Sequence, residues 1–155
     1  NKEDPLHSVS LNRLTFNATA HCLTGCAIGE VLGMVIGTAL GLSDMTTIAL
    51  AVVLAFFFGY LLTSWPLLRT GMPLATVVPI ALAADTLSIT IMEIVDNTIM
   101  LTIPGAMDAG VADIGFWAAL AVALLIAGVL AFPANRWLIA RGRGHAIAHA
   151  GHALG

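Results

Sequence analysis

The sequence has few charged residues, and basic residues are nearly absent from its interior. Only 10% of the 155 residues are Asp, Glu, Lys or Arg, against about 25% in soluble globular domains. Between Leu14 and Asn135 the only Lys or Arg is Arg69. This scarcity excludes a nucleic-acid-binding surface, which needs clustered Lys and Arg. It also leaves any acid within that stretch without a basic partner from the same chain.

Other absences narrow the possible functions. The two cysteines, Cys22 and Cys26, are too few for a disulfide framework. The sequence has no glycine-rich phosphate-binding loop and no pattern typical of a nucleophile triad, so we expect no enzymatic activity. Residues 1–20 are polar and lack the apolar core of a secretory signal peptide, and we expect them to form a short cytoplasmic arm.

Hydrophobic residues make up 59% of the chain, and the mean hydropathy is +0.95. Four apolar runs approach the roughly 20 residues that a spanning helix needs: His21 to Leu42, Met45 to Leu62, Pro79 to Leu101, and Ile114 to Phe132. We therefore predict an all-α integral membrane protein with four transmembrane helices. Residues 21–137 would form the membrane domain, and residues 138–155 a cytoplasmic tail that contains histidines.

The basic residues predict the orientation of this domain. All of them fall on one side of the four-span topology: Lys2, Arg13, Arg69, Arg136, Arg141 and Arg143. The opposite loops carry only acids: Asp44, Asp108 and Asp113. Since basic residues stay in the cytoplasm, both termini and the middle loop are predicted to be cytoplasmic.

The first span carries a glycine at every fourth position. These residues are Gly25, Gly29, Gly33, Gly37 and Gly41. Such a ridge of small residues allows another helix to approach backbone to backbone. We expect it to pack against a helix, and we consider it a candidate surface for forming a homo-oligomer.

Four acids lie within the predicted spans: Glu30, Asp85, Glu93 and Asp96. A charged side chain near the bilayer centre costs about 2.5–3.5 kcal/mol on insertion scales. An acid without a countercharge is therefore protonated or binds a cation. Both possibilities indicate the handling of protons or metal ions. The alternative is that the acids are neutral, form hydrogen bonds between helices and only specify packing.

Soft donors accompany the acids. Thiolate and thioether ligands select Cu(I) and other thiophilic ions, so the sequence predicts a transition-metal ion, Cu(I) or alternatively Zn, as a transported ligand rather than a permanently bound cofactor. The predicted metal ligands are His21, Cys22, Cys26, Glu30, Met92, Glu93 and Asp96. The predicted remainder of the transport path is Met34, Asp85, Ser88, Asn97 and Met100.

The tail contains His145, His149 and His152, which a helix would present on one face. They are predicted to collect cations at the cytoplasmic mouth of the path. The alternative is a disordered tail rich in alanine and glycine.

Three motifs resemble the DUF4396 family of small bacterial membrane proteins: His21-Cys22-x-x-Gly25-Cys26-x-x-Gly29-Glu30, the stretch from Asp85 to Asn97, and Pro133-Ala-Asn-Arg136-Trp. The similarity covers about residues 20 to 145. It implies a multi-pass membrane protein, which we therefore expect in the inner (cytoplasmic) membrane of a bacterium, and it brings no established activity.

These observations predict a transporter or channel for a cation, with its path between the first and third helices. The preferred cation is a soft transition metal such as Cu(I). Two other functions remain open. The protein could be a non-catalytic accessory subunit, in which partner helices in the bilayer supply the missing basic residues. It could also be a proton-coupled carrier of a small solute, which would need the carboxylates but not the cysteines.

Overall fold

The computed structural model describes the backbone of residues 5–108 and 110–153 and the side chains of residues 11–108 and 110–141. It contains four helices: α1 (Pro5–Leu40), α2 (Asp44–Arg69), α3 (Leu74–Thr102) and α4 (Ile114–Ala153). No strand occurs in these ranges. Each helix contains a segment long and apolar enough to cross a membrane. The prediction of an all-α chain with four such helices is thus confirmed, and the chain has the character of a multi-pass membrane protein.

The outer helices extend beyond the predicted spans. Helix α1 begins at Pro5, inside the predicted arm, and α4 continues to Ala153, through the predicted tail. The side chains of the tail histidines, His145, His149 and His152, lie outside the described residues. At the other end of the bundle, Gly41 takes a positive φ of 64° just after α1. Ser43 then caps α2 by accepting a hydrogen bond from the Thr46 amide at 3.3 Å.

The helices form a four-membered bundle in which consecutive helices are neighbours and α4 also contacts α1. Helices α1 and α3 face each other across the diagonal, where fewer residues touch. Short connections make successive helices antiparallel, so α1 and α3 run in the same direction. Residues at equal depth on these two helices can therefore interact across the centre of the bundle.

Helices α2 and α4 present small side chains to the interior at every fourth position. In α2 these are Thr47, Ala51, Ala55 and Gly59, and in α4 they are Ala119, Ala123, Ala127 and Ala131. All of them are buried. Because the interior side chains of α2 and α4 are small, the longer side chains of α1 and α3 fill the space between these two helices.

The glycine ridge of α1 packs within the chain. A Cβ atom placed on Gly25 would lie 2.7 Å from the Gly59 Cα atom, and one on Gly29 would lie 2.5 Å from the Ala55 Cα atom. The backbone of α2 therefore covers the ridge. Helix α2 thus occupies the ridge from Gly25 to Gly37, which leaves that part unavailable for self-association, and the formation of a homo-oligomer stays a prediction.

Candidate functional site

A column of polar side chains runs through the centre of the bundle between α1 and α3. We call the following residues the polar column: Cys22, Cys26 and Glu30 from α1, and Asp85, Ser88, Glu93 and Asp96 from α3. None exposes more than 5% of its surface. The α1 members recur every fourth residue and so share one face of the helix. The column therefore lies between two parallel helices, as the spacing predicts.

One end of the column pairs a thiol with a carboxyl group. The Cys22 Sγ donates to Asp85 Oδ1 at 3.7 Å, and both residues are buried. The Thr63 hydroxyl of α2 also lies beside the Asp85 carboxyl. One helical turn deeper, the Cys26 thiol lies beside the Glu93 carboxyl. Each cysteine thus meets a different acid.

The other end of the column pairs two acids. The carboxyl groups of Glu30 and Asp96 lie next to each other. Asn97, half-buried at the edge of the column, donates its Nδ2 to the Glu93 backbone oxygen at 2.9 Å and to Glu93 Oε2 at 3.2 Å. Two adjacent carboxylates repel each other in a medium of low dielectric constant. A proton or another cation shared between them would remove that repulsion.

Six buried side-chain oxygen atoms of the column have no hydrogen-bond partner among the described residues. They are Glu30 Oε1, Asp85 Oδ2, Ser88 Oγ, Glu93 Oε1, Asp96 Oδ1 and Asp96 Oδ2. A buried polar atom without a partner costs about 1–3 kcal/mol of stability. Six such atoms close together therefore destabilise the fold unless a mobile species occupies the column and binds them. Between Leu14 and Asn135 the only Lys or Arg is Arg69, at the end of α2, so neither residue type lies in the column, and His21 lies near Asp85 at one end of it.

A cavity of about 500 Å³ reaches the Cys22 and Asp85 end of the column. We call it the tail-side cavity because it lies beside the C-terminal part of α4. Its walls come from α1, α3 and α4 and are mainly apolar, with Asn135, Trp137 and Arg141 among them. The guanidinium of Arg141 lies 4.7 Å from the centre of the Trp137 ring, an arrangement typical of a cation–π contact.

A smaller pocket of about 180 Å³ lies at the opposite end of the bundle. We call it the loop-side pocket; Met34, Thr47, Asp44 and Met107 are among its lining residues. Met34 also belongs to a buried apolar cluster with Met100 and Phe116. We call these three residues the apolar plug. Since Met34 and Met100 lie one turn beyond Glu30 and Asp96, the plug separates the acid pair from the loop-side pocket.

A family model described as a domain of unknown function, DUF4396, matches residues 12–144. The chain belongs to the DUF4396 family. The match confirms the resemblance seen in the sequence, and it includes every residue of the polar column and of the apolar plug. No significant match was found among curated proteins or among solved structures.

The predicted metal ligands of the DUF4396 chain do not converge. Among the described residues there is no group of three or more His, Cys, Asp and Glu side chains that could hold a metal ion. His21 is exposed, whereas Cys22 and Cys26 are buried free thiols directed to separate acids. Cys22, Cys26 and Met92 do belong to one buried cluster. The soft donors are therefore close together, but without the histidine.

Several residues that shape the site of the DUF4396 chain were not singled out from the sequence. Asn135 is buried in α4 and donates its Nδ2 to Thr19 Oγ1 of α1 at 2.9 Å. A buried amide within an apolar helix is a usable signal, because such groups need a partner. Phe116, which is fully buried, gave no such signal, since it is one apolar residue among many in its run.

Proposed function

We propose that this protein is a proton-handling membrane carrier that moves protons along the polar column between α1 and α3. The observation that carries the proposal is the set of six buried oxygen atoms without partners among the described residues, in a column that contains no Lys or Arg. A proton is the smallest species that neutralises such acids, and it passes between groups in hydrogen-bond contact or through one bridging water. Groups of the column that are about one helical turn apart would need such a water.

The proposed route has an entry at each end of the bundle. Protons would enter from the tail-side cavity at Asp85, pass Ser88 and Glu93, and reach the shared site of Glu30 and Asp96. The Cys22 thiol donates to Asp85 and holds its carboxyl in place. The apolar plug would have to open for exchange with the loop-side pocket. Access would thus alternate between the two ends, and protons alone would complete the cycle, so that a membrane potential is enough to drive the flux.

The proposal includes the orientation in the membrane. Arg69 and Arg141 lie toward the same end of the bundle as the tail-side cavity, while Asp44 lies at the loop-side pocket. By the positive-inside rule, the tail-side cavity faces the cytoplasm of a bacterium, and both termini lie there. The loop-side pocket then faces outward. The column lies within a single chain, so the route needs no second copy.

Proton flux into vesicles tests the proposal. We expect purified protein, reconstituted into liposomes with a trapped pH-sensitive dye, to acidify or alkalinise the lumen when a potassium gradient and valinomycin impose a membrane potential. The change should be faster than in protein-free vesicles of the same lipid. An internal pH that follows the protein-free trace under both polarities of the potential would contradict a proton route.

Transport of a soft metal is the second candidate, because Cys22, Cys26 and Met92 lie in one buried cluster. Thiols and thioethers select Cu(I). The proton route is better supported, since each thiol lies beside its own carboxyl group and the described residues hold no group of three or more His, Cys, Asp and Glu ligands.

Replacing both cysteines by serine distinguishes the two candidates. A serine hydroxyl can donate to Asp85 as the thiol does, but it is a poor ligand for Cu(I). We therefore expect the Cys22→Ser/Cys26→Ser variant to keep its proton flux. We also expect neither form to retain stoichiometric copper after loading under reducing conditions and desalting, measured by elemental analysis. Copper retained by the wild type and lost by the variant would favour the soft-metal function.

A further inference from the structure

The tail-side cavity is larger than a proton route needs. Its volume of about 500 Å³ falls in the range of small-molecule sites. Most of its lining residues are apolar, and they include Ile80, Ala83, Ala84 and Leu138. The polar lining residues include Asp85, Asn135 and Arg141. Such a combination is typical of sites that bind a small organic molecule and orient it by one or two polar contacts.

The floor of this cavity carries the buried acid Asp85, which exposes only 5% of its surface. Its Oδ1 accepts from Cys22, while its Oδ2 has no partner among the described residues and is itself covered, so a ligand would reach the carboxyl group through the small exposed part of Asp85. A ligand ammonium group has N–H donors and a positive charge, and it would satisfy both needs of this carboxylate. Asn135 lines the same cavity, and because its Nδ2 is used by Thr19, its amide oxygen is left as a second acceptor.

The other charged group that lines the cavity, Arg141, should interact less strongly with a ligand than Asp85 does. Arg141 is exposed, and its guanidinium lies over the Trp137 ring. Electrostatic interactions weaken as the effective dielectric constant rises, so the charge of an exposed arginine acts less strongly in the cavity than that of a buried aspartate. The negative charge of Asp85 therefore favours a cationic ligand, and the apolar walls favour a ligand whose remaining part is apolar.

We propose that the tail-side cavity binds a small organic ammonium compound, with its charged nitrogen on Asp85 and its apolar part against Ile80 and Leu138. The binding depends on the cavity alone. Exchange of this compound for protons rests in addition on the proposed function. The protein would then exchange an organic amine for protons in addition to moving protons alone, and Asp85 would be the group that both species occupy in turn.

Three aromatic probes of similar size test the binding: 2-phenylethylamine, which is cationic, 3-phenylpropanoate, which is anionic, and 2-phenylethanol, which is neutral. Isothermal titration calorimetry on the detergent-purified protein, with a detergent blank, should give an affinity for the amine about tenfold or more above that for the other two. Preference for 3-phenylpropanoate, or equal binding of all three, would overturn the proposal.

Two variants locate the site. Asp85→Asn keeps the shape of the side chain and removes its charge, and it should lower the amine affinity about tenfold. Ala84→Phe replaces a small residue of the cavity wall by a large one, leaves the Asp85 side chain itself unchanged, and should abolish amine binding. Asp108→Asn, on an exposed loop, is the matched control and should bind as the wild type does. If Asp85→Asn does not fold, Ala84→Phe decides, because amine binding that survives a filled cavity contradicts this location.

Comparison with the flux assay separates this inference from the proposed function. We expect Glu30→Gln, altered away from the cavity, to bind the amine normally while it conducts no protons. Amine binding by a wild type without proton flux would refute the proposed function and leave the site standing. Proton flux in a wild type that binds no amine would refute the site alone.

Discussion

Replacing Glu30 by Gln or Asp96 by Asn should reduce proton flux to that of protein-free vesicles. These two carboxyl groups are adjacent and buried, and three of their oxygen atoms have no hydrogen-bond partner among the described residues. An amide cannot bind and release a proton near neutral pH, so either change interrupts the column at the end that faces the apolar plug. The dye assay described above measures the effect directly.

The fold should survive these two changes. The NH2 group of a new glutamine at position 30 can donate to an Asp96 oxygen that otherwise lacks a partner. We therefore expect thermal unfolding of Glu30→Gln in detergent to be unchanged or to shift to a higher temperature. Asp108→Asn is the matched control for flux, because Asp108 is exposed and lies outside the column.

Two results would contradict the role of the acid pair. Full proton flux in both Glu30→Gln and Asp96→Asn would mean that protons take another path. Stoichiometric co-purification of a second membrane protein, with loss of the bound partner in these variants, would instead favour the accessory-subunit function. In that case the partner would supply the basic side chains that this chain lacks between Leu14 and Asn135.

The four-residue spacing of Cys22, Cys26 and Glu30 was enough to place them on one face of α1, and the acids of α3 could be placed on a facing side in the same way. Helical periodicity specifies which residues share a face, and the cost of a charge in lipid indicates that the face is interior. The sequence could therefore predict the polar column in outline.

The partner of each face could not be predicted, because periodicity says nothing about which helix covers it. The glycine ridge of α1 illustrates this limit: Gly29 predicts a close approach, and only the structure identifies the neighbour as Ala55 of the same chain. The apolar plug and the tail-side cavity were missed for the same reason. Phe116 and Ile80 become informative only when their three-dimensional neighbours are known.

Substitutions along the glycine ridge should have the largest effect on stability. A Cβ atom on Gly29 would lie 2.5 Å from the Ala55 Cα atom, which is backbone and cannot rotate away. Overpacking in a well-packed core costs about 1–3 kcal/mol, and we expect Gly29→Ala to reach the upper part of that range. Gly29→Leu should separate α1 from α2 and prevent recovery of a monodisperse protein. Thermal unfolding monitored by tryptophan fluorescence in detergent measures the smaller change.

Gly37 provides a test of this mechanism, because its obstacle is a side chain. A Cβ atom on Gly37 would lie 2.6 Å from the Thr47 Cγ2 atom and also meet its hydroxyl. Gly37→Ala should therefore destabilise the protein, and Thr47→Ala should restore most of the loss, whereas Ala55→Gly should restore little in the Gly29→Ala background, where the backbone remains. Gly110→Ala is the neutral control, since nothing lies within 4 Å of its position. Equal unfolding temperatures for Gly29→Ala and Gly110→Ala would show that α1 and α2 do not pack through this ridge, and the depth at which Cys22, Cys26 and Glu30 meet α3 would then have to be different as well.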